Sequence, residues 1–210
     1  MAAASTKEDA VAVAGGAVFL ALAVLVATGA FTSFDEYAVA HWMPWLREST
    51  PRLIHVSSVF VPQTRSTLGG TLVGLWTYPA SPFISVLVVA GCAYVAVRRG
   101  RVRTAVGVCA LWIVANAAEL IGKIVIARPP VGVAGFRHSY PSGHTIRACV
   151  VAAVITWTWR RAGAAATAWA LLVPVALVLL GDHTPTDVVG GVALAACLIA
   201  LWRGRLTSAP

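Results

Sequence analysis

The chain has 210 residues, 59% hydrophobic and only 11% charged, with a mean hydropathy of +0.80. Soluble domains carry about 25% charged residues, so this composition excludes an ordinary soluble enzyme, a disordered chain and a secreted disulfide scaffold, and indicates an integral membrane protein. The net charge of +8 does not signal nucleic acid, because the arginines fall in short clusters between apolar runs, as in loops retained on the cytoplasmic face.

The first apolar run, Ala10 to Phe31, is long enough to cross a bilayer and lacks the short core and cleavage site of a signal peptide. Ser33 to Pro51 interleaves Asp35, Glu36, His41, Trp42, Trp45 and Arg47, the pattern of a helix lying at the interface. The stretch Leu53–Val97 contains Arg65, the pair Gly69-Gly70 and the breaker Pro79-Ala80-Ser81-Pro82. Further spans are predicted over Thr104–Ile126, Ser142–Trp159, Ala164–Leu180 and Val188–Trp202.

Basic clusters punctuate the second half: Arg98, Arg99, Arg101 and Arg103, then Arg160 and Arg161, then Arg203 and Arg205. Two crossings separate each cluster from the next, so all three share the cytoplasmic side. With Lys7 also cytoplasmic, Leu53–Val97 makes one net crossing, placed at Pro82–Val97, with Leu53–Tyr78 interfacial or re-entrant. The expected fold is therefore all-α: one transmembrane domain, a six-helix bundle with interfacial helices after the first span. Cys92, Cys109, Cys149 and Cys197 lie inside apolar stretches without paired or metal-ligand spacing and read as small buried hydrophobes.

This topology gathers ionisable groups at the opposite end. The loops 123–140 and 181–187 bring Lys123, Arg128, Arg137, His138, His144, His183 and Asp187 to the non-cytoplasmic face. Charged groups at membrane depth are costly and mark function. In Pro141-Ser142-Gly143-His144, Ser142 caps a helix whose free N–H groups form an anion site, and His144 can exchange a proton near neutral pH. The bland alternative is a capped helix with an interfacial histidine.

In His183-Thr184-Pro185-Thr186-Asp187, a proline in the first helical turn places His183 at the entrance, within reach of Asp187. A carboxylate there fixes the imidazole tautomer and leaves the other nitrogen nucleophilic; the alternative is a hydrogen bond without chemistry. Lys123 and Arg128 supply cations, and Glu119, one turn before Lys123, reads as a structural partner of that lysine. A zinc site of His138, His144, His183 and Asp187 is the competing set, but neighbouring Lys123 and Arg128 repel a divalent ion. Anion binding is the better reading.

These residues resemble the type 2 phosphatidic acid phosphatase family, distantly related to vanadium haloperoxidases. The family pattern runs Lys, six residues, Arg-Pro; then Pro-Ser-Gly-His; then Ser-Arg, five residues, His, three residues, Asp. Pro141–His144 completes the second block, and His183 and Asp187 keep the third-block separation. The resemblance covers 98–205, a phosphatase-like core, with 1–97 as more variable N-terminal spans. Two positions depart from the pattern: Pro130 stands at the first-block arginine, Arg128 falling two residues early, and Ala176-Leu177 stands at the Ser-Arg pair. Each charge-assisted contact contributes about 1.5–3 kcal/mol, so substitutes are required, and Arg128, Arg137 and Arg147 are the candidates.

The resemblance implies hydrolysis of a lipid phosphate or polyprenyl (pyro)phosphate, without metal or cofactor, at the extracytoplasmic side of a cell membrane. It casts His183 as nucleophile through a phosphohistidine, Asp187 as its orienting carboxylate and His144 as acid. Lys123, Arg128, Ser142 and Gly143 are the implied phosphate ligands. The partners are the lipid substrate and the bilayer. Both termini are expected in the cytoplasm, and 14 arginines against two lysines in an alanine-rich chain suggest a GC-rich bacterial gene. The rival reading is a catalytically impaired relative that binds a lipid phosphate or a membrane partner. A small transporter lacks an internal repeat and an acidic relay within the spans.

Overall fold

The structure is a computed structural model that describes residues 2–43, 67–126, 128, 131 and 139–207, with side chains described for 7–43, 67–126, 128, 131 and 139–203. Eight α-helices follow in order among the described residues: α1 (Ala2–Ala27), α2 (Thr32–His41), α3 (Leu68–Thr77), α4 (Pro82–Arg98), α5 (Val102–Val125), α6 (Gly143–Thr158), α7 (Gly163–Leu179) and α8 (Pro185–Thr207). The regular structure there is all-helical, as expected. Helices α1 and α4–α8 stand at the positions of the six expected spans, but the count of six is only approximate, since α6 with its 16 residues is not among the helices long and apolar enough to cross a membrane.

Four segments are long and apolar enough to cross a membrane: Lys7–Ala27, Val102–Val125, Arg160–Leu179 and Pro185–Arg203. The pair Leu68–Ala80 and Pro82–Arg98, bent by 47° at its break, has the length and apolarity of a fifth when taken as one broken span, and otherwise of a re-entrant loop. The break has a local cause. Ser81 caps α4 by accepting the Ile84 N–H at 3.4 Å, and Pro79 and Pro82 lack the N–H groups needed to continue one helix through the turn. The expected span at 82–97 is thus preceded by a helical arm that packs on α7, where the Trp169 indole N–H donates to the Trp76 carbonyl at 3.0 Å.

α6 has 16 residues and is the most enclosed helix, with Ile146, Val150 and Val154 fully buried against Val89, Val108, Leu111 and Leu194. On its other side Ala148 and Ala152 meet Ala80, Ala166, Ala170 and Val173. Small residues here let helices approach closely, which drives packing where lipid is as apolar as the side chains. The same logic joins α1 to α8: a Cβ on Gly15 would lie 2.8 Å from the Ala193 carbonyl oxygen.

The basic clusters gather at one end of the bundle. Arg99 donates to the Thr158 carbonyl at 2.7 Å, and Arg203 pairs with Glu8 at 3.1 Å, tying the end of α8 to the start of α1. The first turns of α6 and α8 lie at the opposite end. The four cysteines are unpaired by disulfides, Cys92 being buried and the other three partly so. Residues 44–66, including Trp45, Arg47 and Arg65 of the expected interfacial segments, lie outside the described residues, as do Pro129, Pro130, Arg137 and His138.

Candidate active site

The site is built where two helices begin side by side. Ser142 adopts extended backbone angles and its Oγ accepts the Thr145 N–H at 3.4 Å and the Thr145 hydroxyl at 3.1 Å. That capping starts α6, and the N–H groups of Gly143 and His144 in its first turn have no intrahelical acceptor. The Ser142 N–H donates to the Asp187 carbonyl at 3.0 Å, which locks the start of α6 to the first turn of α8. Two glycines permit the approach: a Cβ on Gly191 would lie 2.9 Å from the Ser142 carbonyl, and one on Gly190 would enter the Tyr140 ring. Burial and the nearby Asp187 carboxylate push the Tyr140 hydroxyl well above its usual ionisation range, so it stays neutral and donates to the Phe19 carbonyl at 3.1 Å.

α8 begins at Pro185, and this places His183 and Asp187 one turn apart. His183 Nδ1 lies 3.4 Å from Asp187 Oδ2, and the Thr184 N–H donates to the same oxygen at 3.1 Å. Nε2 of His183 therefore points away from the carboxylate. Arg147, His183 and Lys123 are each close enough to His144 to act on it electrostatically. The two histidines and Asp187, expected together, are brought together.

Glu119 forms a second knot beneath Gly143. Its Oε1 accepts Lys123 Nζ at 2.6 Å, as the one-turn spacing suggested, and its Oε2 accepts Arg147 Nη1 at 2.5 Å. Arg147 also donates from Nε to the Ala80 carbonyl at 2.8 Å and from Nη1 to Asn116 Oδ1 at 3.0 Å. Lys123 is the more accessible cation, its side chain 30% exposed against 6% for Arg147. The carboxylate presses so closely on Gly143 that a Cβ there would lie 1.8 Å from Oε1. Glycine at this motif position is thus a steric requirement.

Arg128 takes a different place from the one expected of a phosphate ligand. Its side chain is 2% exposed and its guanidinium sits between two buried carboxylates. Nη1 pairs with Asp187 Oδ1 and donates to the Thr184 hydroxyl at 2.8 Å, while Nη2 pairs with Asp35 Oδ2 at 2.5 Å. Both terminal nitrogens are thereby occupied. Sequence reasoning placed Asp35 only in an interfacial helix. In the structure it is buried, accepting the Thr186 hydroxyl at 2.6 Å and the Thr186 N–H at 3.4 Å. Burial raises its carboxyl above the ordinary range, against the pull of Thr186 and Arg128. Among the described residues no cluster of three or more His, Cys, Asp or Glu side chains has the geometry of a metal site.

The PAP2 superfamily model matches residues 16–207, extending well beyond the motif-bearing half into α1. The fold is similar to the crystal structure of a transmembrane PAP2-type phosphatidylglycerolphosphate phosphatase from Bacillus subtilis. The TM-score is 0.68 at 23% identity, over 92% of this chain and 94% of that one. No curated protein matches the chain by sequence. With the paired helix starts, the two histidines and a family match over nearly the whole length, this multi-pass membrane protein belongs to the PAP2 superfamily.

Proposed function

We propose that the protein is a membrane lipid phosphate phosphatase that works through a phosphohistidine. The observation that carries this reading is His183, held through Nδ1 by Asp187 at 3.4 Å beside His144 and the uncapped N–H groups of α6. A nucleophile, a proton donor and an anion cradle meet at one end of the bundle, and a binding protein would need only the cradle. The family membership and the phosphatase neighbour support the same class of chemistry.

In this mechanism the Nε2 lone pair of His183 attacks phosphorus, the bond to the lipid oxygen breaks, and His144 gives that oxygen a proton. Water then attacks phosphorus while His144 takes the water's proton, a phosphorus–oxygen bond forms, the phosphorus–Nε2 bond breaks with its electron pair returning to Nε2, and phosphate leaves. Asp187 keeps the Nδ1 proton in place and stabilises the cationic ring of the intermediate. Lys123, the Ser142 hydroxyl and the Gly143 N–H hold the non-bridging oxygens, where donors placed in advance lower the barrier. Arg128 acts on Asp187 in this scheme instead of on phosphate. Arg147 adds positive potential from beneath His144, which bears on the arginines replaced by Pro130 and Leu177. The lipid tail enters sideways from the bilayer, the site faces the extracytoplasmic side, and no metal takes part.

The test is phosphate release by detergent-purified protein with a chelator present. The panel holds phosphatidic acid, phosphatidylglycerol phosphate and a polyprenyl pyrophosphate, with His183→Ala beside the wild type. Chelator-resistant turnover that the variant lacks is expected. A variant as active as wild type removes the nucleophile, and a chelator-sensitive reaction reinstates the metal reading. No turnover on any lipid from folded protein favours the impaired relative.

A further inference from the structure

The buried carboxylate of α2 lies outside every motif, yet it is built into the centre. We propose that Asp35 is a positioning residue: through Arg128 it sets the charge and placement of Asp187, and so of the His183 ring. This rests on the phosphatase reading above. Three observations support it.

The first is the sharing of one guanidinium. Arg128 gives Nη1 to Asp187 and Nη2 to Asp35. An arginine facing Asp187 alone would neutralise it and compete with His183 for its oxygens. Drawn toward Asp35 by a second full charge, Arg128 leaves the three-charge cluster with a net charge of about −1, which favours a ring that turns cationic on attack.

The second is the covalent route. Thr186 donates both its hydroxyl, at 2.6 Å, and its N–H, at 3.4 Å, to Asp35, and Asp187 is the next residue. The Thr184 hydroxyl receives Arg128 at 2.8 Å. Asp35 thus holds the turn that carries both His183 and Asp187.

The third is cost. Burying an ion costs several kcal/mol even after relaxation, and apolar side chains of similar volume would hold such a junction at least as well. α2 is a 10-residue helix whose other buried side chains are Ala38 and Val39, so an apolar residue at position 35 would suit its packing. The charge answers to the site. The other charged or titratable groups around the centre are His144, His183, Lys123, Arg147, the neutral Tyr140 and Glu119. Glu119 is the only further carboxylate among them but is paired with Lys123 and Arg147, so none supplies a second negative charge to Arg128.

The experiment compares Asp35→Asn, Arg128→Gln and the double variant in the full chain, each normalised to folded protein by size exclusion. Asn keeps the shape and accepts from Thr186 but removes the charge. The expected result is a kcat lowered about ten-fold or more with KM for the lipid unchanged, and acid-quenched phosphohistidine accumulating correspondingly slowly. The double variant should be no slower than Arg128→Gln alone, because the two act through one path. Wild-type kcat in Asp35→Asn, or additive losses in the double variant, overturns the proposal.

Orthovanadate gives a readout without turnover, since it forms a five-coordinate adduct on an imidazole nitrogen. Asp35→Asn should weaken its binding about ten-fold, and unchanged affinity also overturns the proposal. Wild-type protein that binds vanadate but releases no phosphate from any lipid defeats the phosphatase reading and leaves the positioning role to be judged by vanadate alone.

Discussion

Gly143→Ala adds one methyl group and should disable both packing and site. Its Cβ would stand 1.8 Å from Glu119 Oε1, 2.1 Å from Cδ and 2.3 Å from Oε2, where ordinary contact begins near 3.4 Å. The carboxylate cannot step aside freely, being held by Lys123 at 2.6 Å and Arg147 at 2.5 Å. Overpacking alone costs about 1–3 kcal/mol, and pulling a buried carboxylate from its arginine approaches about 3–5 kcal/mol. An intermediate loss of about 2–4 kcal/mol corresponds to a fall of roughly 5–15 °C in thermal midpoint for a chain of this length.

The assay is thermal unfolding in detergent, with Gly91→Ala as the control. A Cβ on Gly91 meets nothing within 4 Å, so that variant should be neutral or gain about 0.5–1 kcal/mol from its helix. Glu119→Ala combined with Gly143→Ala should lose less than the two single changes together, because the clash disappears with the carboxylate. A Gly143→Ala protein as stable as Gly91→Ala, or strict additivity in the double variant, would refute the reasoning.

Lys123→Met should lower kcat/KM by about 10- to 100-fold, the worth of one charge-assisted contact to phosphate. Steady-state kinetics check it, and an unchanged value removes Lys123 from the phosphate ligands. On a background without the four native cysteines, Asp182→Cys should react with an impermeant thiol reagent on intact cells while Arg101→Cys should not. The reverse labelling would invert the proposed orientation.

Local periodicity and short spacings were enough to read much of this protein. The apolar runs gave spans close to α5–α8, because sustained apolar runs mark helices that face lipid or core. α1 begins eight residues before the expected Ala10, and α4 is located by the parity of the basic loops and not by hydropathy. The Ser142 cap, the helix start at Pro185 and the His183–Asp187 pair depend only on neighbours within one turn, as does Glu119 with Lys123. Hydrophobicity did not reveal the bend before α4, because both arms are apolar and only the proline-containing turn between them signals a break.

What the tertiary structure alone decided is which charges meet. Arg128 stands five residues after Lys123 and reads as a second phosphate cation. It joins Asp35, 93 residues away, and Asp187, 59 residues away, because α2 folds against the start of α8. Arg147 reaches Glu119 across 28 residues, and the closeness of that carboxylate is what makes Gly143 a glycine. Residue types and one-turn spacings can tell which groups are able to pair, but a buried charge chooses its partner by desolvation, and desolvation depends on which helix ends pack together.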